Sequence, residues 1–404
     1  MAAPLKPLGT GRTLPPAKPL EHWADDGAFD PKAASRLTAG QERYYLASQW
    51  QLMWWKLKRH RLAVVSLFFL LAAYASILIA EMIAPYALDA RNTDYLYAPP
   101  QSVHLMHEGQ FVGPFVYPYK VSLDLARLKW VYEEDLTRPQ PIRFFCSPDD
   151  YNGARYRFWG GPELGFHFIC PPKDGTLFLM GTDRLGRDVF SRIAYGARIS
   201  LTVGLVGIIL SFVLGIVIGG VAGYYGGFID NAVQRVIEII RSFPTLPLLM
   251  ALSAALPVTW SPILVFLGVT MILALLDWPG LARAVRSKFL SLREEDFVQA
   301  AQLMGAKPAR IIARHLLPSF ASHLIASASL SIPAMILGET ALSFLGLGLR
   351  PPITSWGVLL NEAQNFSAVA LYPWIMFPML PVFLVVLAFQ FLGDGLRDAA
   401  DPYK

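Results

Sequence analysis

The sequence predicts an all-α polytopic membrane protein with six transmembrane helices and a small, partly β insertion on the outer side between helices 1 and 2. Three observations predict it. Hydrophobic residues make up 54% of the 404 and charged residues only 16%; mean hydropathy is +0.40, well away from the balance of soluble domains. Uncharged runs reach spanning length: Leu62–Ala80 has 19 residues, Ile199–Val221 and Leu316–Gly338 have 23 each, and Ser367–Gly393 has 27, where about 20 residues cross a hydrocarbon core of about 30 Å. A further uncharged run, Ser242–Leu276, is 35 residues long. It holds Pro257-Val-Thr-Trp-Ser-Pro262, a turn with a tryptophan suited to the interface, and so divides into two spans.

The elements follow in chain order. Residues 1–42 are rich in Pro, Ala, Gly and charge and read as a disordered cytoplasmic tail; residues 1–40 lack the apolar segment of a cleavable signal peptide. Residues 43–61, RYYLASQWQLMWWKLKRHR, mix aromatics with cations and read as an interfacial amphipathic helix on the inner leaflet. A solvent-facing helix that binds nucleic acid or a calmodulin-like partner competes with this, but Trp50, Trp54 and Trp55 directly beside a span favour lipid, and the net charge of +5 fits basic cytoplasmic patches. The first span is 62–83. The insertion, 84–198, is rich in Tyr, Phe, Pro and Gly, with a folded, partly β subdomain expected over about 95–180. It contains both cysteines, Cys146 and Cys170. An oxidising outer compartment permits a disulfide between them, two buried free thiols are the alternative, and no paired histidine spacing points to a metal site.

The remaining spans are 199–222, 234–256, 261–279, 319–345 and 369–393, a core of 199–393 with a loop at 281–318 and a tail at 394–404. Splitting the long run leaves only 15 residues, Ser242–Leu256, for span three. It therefore borrows the preceding turn with Glu238 and Arg241, which are three residues apart and able to pair on one helical face. Glu81 and Asp277 fall near span ends, where they would reach headgroups or water. The glycines of span two, among them Gly204, Gly207, Gly215, Gly219, Gly220 and Gly223, read as close-packing surfaces.

Basic residues set the orientation. Lys56, Lys58, Arg59 and Arg61 precede span one. The loop between spans four and five carries Arg283, Arg286, Lys288, Arg293, Lys307, Arg310 and Arg314 against Glu294, Glu295 and Asp296. Both regions are cytoplasmic by the positive-inside rule, and six spans put both termini there. Arg184, Arg187, Arg192 and Arg198 oppose this, but they end a long loop, and long loops escape the rule.

Phe297–Ser319, FVQAAQLMGAKPARIIARHLLPS, is a polar segment between apolar runs. It reads as two short helices around a break. Ser291 and Glu294 form a capping box for the first, Gly305 supplies the positive φ that ends it, and Pro308 suits the first turn of the second. Ala300 and Ala301 leave room for another protein's backbone, although an ordinary helix-turn-helix would look the same. The order of small residues, glycine and Leu-Pro resembles the EAA loop of binding-protein-dependent ABC transporter permeases, EAA-x3-G-x9-I-x-LP. Gln299 stands where glutamate is usual and His315 where isoleucine is usual. The resemblance implies that Gln299, Ala300, Ala301, Gly305, Ala306, Arg310, Leu317 and Pro318 form the element that couples to an ATP-hydrolysing subunit.

Other segments carry the same resemblance. Gly181-Thr-Asp-Arg-Leu-Gly-Arg-Asp-Val-Phe-Ser-Arg and Tyr195-Gly-Ala-Arg-Ile-Ser-Leu resemble the GTD-x-x-GRD-x-x-SR…YGARISL signature of the second permease subunit of dipeptide, oligopeptide and nickel importers. Gly223-Tyr-Tyr-Gly-Gly, Glu339-Thr-Ala-Leu-Ser-Phe-Leu-Gly-Leu-Gly and Gly393-Asp-Gly-Leu-Arg-Asp-Ala-Ala-Asp-Pro-Tyr are similar to further family segments. Together they cover most of 181–404, but not residues 1–60 or 95–180. The resemblance implies a type I ABC importer permease in a bacterial inner membrane. Its implied partners are a second homologous permease, two ATP-binding subunits and a periplasmic substrate-binding protein.

The chain itself carries no G-x4-GK[ST] phosphate loop and no nucleophile–base arrangement. It is therefore read as a transport subunit and not an enzyme; ATP and Mg would bind partner subunits, and no cofactor, metal or nucleic acid is expected on this chain. Intramembrane polar groups mark candidate pathway residues: Glu339 first and His323 second, with helix–helix hydrogen bonding the alternative. Short peptides are the expected cargo. An oligosaccharide or glycoside on the same machinery is the alternative, and a stand-alone secondary transporter is the alternative of another class.

Overall fold

The computed structural model describes residues 46–400 apart from 126–128, 148–155, 158–162 and 174. The expected tail 1–42 and the last residues of the C-terminal segment, 401–404, lie outside the described residues. The first helix among the described residues is α1 (Gln49–Arg59). Leu57 packs beside Ala63 and Ala399, and the Lys58 ammonium lies 5.2 Å from the centre of the Trp54 ring, a cation–π arrangement.

Among the described residues, five helices are long and apolar enough to cross a membrane: α2 (Arg61–Leu78), α4 (Val189–Tyr225), α7 (Pro262–Leu292), α10 (Ala321–Phe344) and α12 (Met379–Ala400, with the preceding turn from Pro373). A bent pair, α5 (Gly227–Ser242) and α6 (Thr245–Ala254), makes a sixth crossing if counted as one.

That bent pair corrects the expected straight span over 234–256. The two helices meet at 87° because Pro244 has no N–H to donate and its ring pushes Phe243 out of the helical region, to φ −89° and ψ 141°. The expected Glu238–Arg241 pair is not made. Glu238 instead bonds Arg235, at 2.7 Å, on the exposed side of α5, and Arg241 turns to a different surface.

The first span is also shorter than expected. It stops at Leu78, and α3 (Ala80–Ile83) follows a break at Ile79. Arg198, the tenth residue of α4, holds this break: its guanidinium donates to the Ile77 carbonyl at 2.9 Å and to the Glu81 carboxylate at 2.7 and 2.8 Å. Glu81 is buried in this pair and does not reach headgroups or water. A buried carboxylate needs such a partner, since leaving it unpaired would cost far more than the exposed alternative.

Between α3 and α4 lies the partly β insertion. Strand β1 (His104–His107) pairs β2 (Gln110–Val116), which also pairs β5 (Gln140–Pro141); β3 (Tyr119–Asp124) pairs β4 (Lys129–Glu134) over six positions, all antiparallel. β6 (Arg143–Cys146) pairs β9 (His167–Cys170), and the short β7 (Tyr156–Arg157) pairs β8 (Glu163–Leu164). A disulfide joins Cys146 to Cys170, Cα atoms 6.5 Å apart, so it staples β6 to β9. Within the insertion the Tyr132 hydroxyl donates to the Leu96 carbonyl at 2.6 Å, and the His167 imidazole lies 2.8 Å from the carbonyl of Ala84, just after α3.

The stretch after the insertion folds around Asp183, which accepts the backbone N–H groups of Leu185 and Arg187 and pairs with both Arg187 and Arg192. Asp188 caps α4 by accepting the Ser191 N–H at 2.7 Å. Complete burial pushes the Asp188 carboxyl up to about 7, against the pull of those Ser191 bonds.

α4 and α7 pack backbone to backbone. A Cβ at Gly219 would lie 2.4 Å from the Ala282 carbonyl oxygen, and one at Gly223 would lie 2.8 Å from that of Arg286. Only glycine permits the backbones to approach so closely. At the same end Arg286 forms a two-pronged ion pair with Asp230 of α5.

Candidate functional site

The segment after α7 is built from backbone geometry outward. The expected capping box is not formed: Ser291 lies inside α7, which runs to Leu292, and Glu294 pairs with Arg293 at 2.9 Å. Helix α8 (Asp296–Leu303) instead starts from an extended Glu295 with no side-chain cap. Asp296 in its first turn complements the positive end of the helix dipole. Gln299, which stands in place of the usual glutamate, donates Nε2–H to the Glu294 carbonyl at 3.0 Å.

The C-terminus of α8 is a Schellman motif. Gly305 sits at φ +78°, its N–H donates to Gln302 at 2.9 Å, and the Ala306 N–H reaches back to Ala301 at 3.0 Å. Nothing lies within 4 Å of where a Gly305 Cβ would be, so the positive φ alone selects glycine there. α9 (Pro308–Ile311) follows with its proline in the first turn. One widened turn (Ile312–Leu316) and Leu317–Ser319 then lead into α10.

Each face of α8 has a distinct job. Val298 and Ala301 are buried against Val285 and Phe289 of α7 and against Ile311, Leu316 and Phe320; the Phe289 and Phe320 rings meet edge-on at 5.6 Å. This corrects the expectation that Ala301 keeps space for a partner's backbone. At 2% exposure its small size serves packing within this chain. The outward face carries Phe297, Ala300, Leu303 and Met304, with Leu303 90% and Met304 80% exposed. Beside them an open hollow of about 500 Å³ is lined by Tyr224, Arg293, Glu294, Gln299, Gln302 and Leu303. Of the other expected coupling residues, Arg310 and Pro318 are exposed and Ala306 and Leu317 half-buried. Phe297, Leu303 and Met304 were missed by sequence reasoning, although their spacing to one side of Val298 and Ala301 is the available signal.

The intramembrane candidates separate. Glu339 is fully enclosed and accepts from Ser343 at 2.7 Å, Ser355 at 2.7 Å and Ser200 at 3.3 Å. It ties α4, α10 and the start of α11 (Trp356–Leu360) together. His323 is exposed in the first turn of α10. Asp277, expected at a span end, instead accepts from Ser211 of α4 at 2.6 Å and lines a cavity with Arg241.

Comparison with known proteins adds the following. A family model described as "Binding-protein-dependent transport system inner membrane component" matches residues 215–403, and one described as "N-terminal TM domain of oligopeptide transport permease C" matches residues 48–100. The dipeptide transport system permease protein DppC of Alkalihalophilus pseudofirmus is 42% identical over 55% of this chain and 71% of its own. The DppC of Bacillus subtilis is 42% identical over 60% and 76%. The oligopeptide transport system permease protein OppC of Salmonella typhimurium is 44% identical over 55% and 71%. An inward-facing crystal form of the MetNI methionine ABC transporter covers 51% of this chain and 95% of its own at 21% identity, with a TM-score of 0.41, too loose a likeness to argue from.

Proposed function

The chain belongs to the inner membrane components of binding-protein-dependent transport systems, and we propose that it forms half of the passage through which an ATP-driven importer brings short peptides into the cytoplasm. The relatives are named dipeptide and oligopeptide permeases, which favours peptides over oligosaccharides. The observation that carries the coupling role is the two-faced helix α8: Val298 and Ala301 lock it to α7, and Leu303 and Met304 stand almost bare. Apolar side chains that project this far from a membrane protein's polar loop are a protein-docking surface.

The partner reading is that an ATP-binding subunit receives this face, a second copy of it sits under a homologous permease, and a binding protein delivers peptide on the outer side. ATP and Mg bind those partners. Closure of the ATP-binding subunits shifts α8, α7 follows through Phe289, and the passage changes the side to which it opens. Both termini are cytoplasmic in this arrangement. Single cysteines at Ser102 and Ser287 should then label from opposite sides with an impermeant thiol reagent.

The deciding experiment is reconstitution of the chain with the second permease and ATP-binding subunits in vesicles. Peptide uptake should need ATP, those subunits and the binding protein together. Uptake by this chain without ATP-binding subunits would overturn the reading in favour of a stand-alone carrier.

A further inference from the structure

Asp277 lies fifteen residues into α7, counted from Pro262, about 22 Å along a helix rising 1.5 Å per residue; with Pro262 at one face of a core of about 30 Å, it falls within the core, about 8 Å from the other face. An ionisable side chain at that depth is costly unless it is paired or does something. Its Oδ2 accepts one hydrogen bond, from the Ser211 hydroxyl, and no other bond to the carboxylate is formed among the described residues. The carboxylate faces a cavity of about 270 Å³ between α5–α6, α7 and α10.

Arg241, the last basic residue of α5, lines the same cavity. The sharp break at Phe243–Pro244 leaves it at the cavity edge, with its guanidinium 3.9 Å from where a Gly280 Cβ would be, one turn below Asp277. Arg241 is exposed and makes no ion pair within 4 Å among the described residues, Asp277 included. Opposite charges therefore face one small, partly apolar space without neutralising each other, and Thr245 adds a hydroxyl to the lining. A structural ion pair would bring the two within 4 Å; here that contact is not made, and the cavity they both line leaves room for a ligand between them.

Resting on the peptide reading, we propose that this cavity is a subsite on the passage for the charged ends of the passing peptide. Asp277 accepts hydrogen bonds from an α-ammonium, and Arg241 donates to an α-carboxylate. The volume lies just under the usual range for a complete small-molecule site, about 300–1,000 Å³, as befits a chain that supplies one wall. The aliphatic remainder of the lining, Leu249, Leu273 and Met335 among it, tolerates varied side chains, so recognition is of peptide ends and not of sequence.

The test uses the complete reconstituted transporter and a tripeptide with free ends. It has two readouts: peptide taken up per ATP hydrolysed, and the rate at which a thiol introduced by Thr245→Cys reacts with a water-soluble thiol reagent. Asp277→Asn and Arg241→Gln should each lower uptake per ATP about tenfold, in line with loss of one charged hydrogen bond. Asp277→Glu should keep at least half. Turnover with peptide should slow the thiol reaction in the otherwise wild-type protein and not in the Asp277→Asn background. Should Asp277→Asn not assemble, Arg241→Gln with the same thiol decides. Wild-type uptake per ATP in both neutral variants, or equal protection of the thiol with and without Asp277, would overturn the subsite alone. Wild-type vesicles that hydrolyse ATP yet take up no peptide would overturn the peptide reading instead.

Discussion

Replacing Leu303 and Met304 together with alanine should separate docking from folding. Both side chains are nearly bare in the isolated chain, so their removal takes nothing from its own core. Each loses three heavy atoms beyond Cβ. At about 0.8 kcal/mol per buried methylene-sized group, full burial of each against a partner is worth up to about 2 kcal/mol. The pair then accounts for at most about 4 kcal/mol, nearly three orders of magnitude in affinity at 1.4 kcal/mol per tenfold, and incomplete burial reduces it. The expected outcome is at least a tenfold weaker association of the solubilised subunit with its ATP-binding partner. The melting temperature should stay within a degree or two of wild type. Ala301→Leu should behave in the opposite way. It forces extra carbon atoms among Val285, Phe289 and Ile311, should cost about 1–3 kcal/mol of stability, and should lower the melting temperature. Wild-type affinity in the double alanine variant would refute the assignment of the outward face, and unchanged stability in Ala301→Leu would refute the inward one.

Gly305→Val should destabilise the α8 turn by about 1–2 kcal/mol through the positive φ alone, since open space surrounds the position; Gly305→Asn should lose less, as thermal unfolding would record. Peptides containing Cys146 and Cys170 should appear joined in mass spectra of the non-reduced protein, and Cys146→Ser with Cys170→Ser should cost the insertion about 3 kcal/mol in the chain-entropy picture, seen as earlier proteolysis. The Asp135 carboxyl is held down at about 2 by the Thr137 hydroxyl and by Lys120. Its pKa is depressed on folding, so its contribution is present above the unfolded value near 3.8 and is lost as pH falls toward 2. Thr137→Val should move the carboxyl titration, followed by NMR, back toward the ordinary value.

The membrane layout was legible because it depends on length and charge, which a sequence displays directly. Uncharged runs found α2, α4, α7, α10 and α12, and two lone cysteines in one outer segment left a single possible pair. The bend in the third crossing was written in Ser242-Phe243-Pro244, but the need to lengthen a 15-residue run drew attention to Glu238 and Arg241 and away from the proline. Ala301 was misread for a different reason. A small residue beside a partner and a small residue inside a core look alike in one dimension, and with apolar residues on both faces of α8 only the spacing of Val298 and Ala301 against Phe297, Leu303 and Met304 could separate them. Asp277 was hidden more deeply still. Its distance from the N-terminal end of α7 depends on where that helix begins, and its cavity exists only once α5, α6 and α10 have closed around it.

The glycine contact between α4 and α7 has a mechanical consequence. Where side chains separate two helices, a push on one can be taken up by a change of rotamer and fades over a few ångströms. Between Gly219 and Ala282 there are no side chains to yield, and Phe289, next along α7, is wedged against Gly220 on one side and Phe320 on the other. A force that reaches α7 at Ala282 would therefore move both long helices together. If α8 is the coupling element, a helix of 37 residues would carry that motion over about 55 Å, from Tyr225 to the capped end beside Asp188.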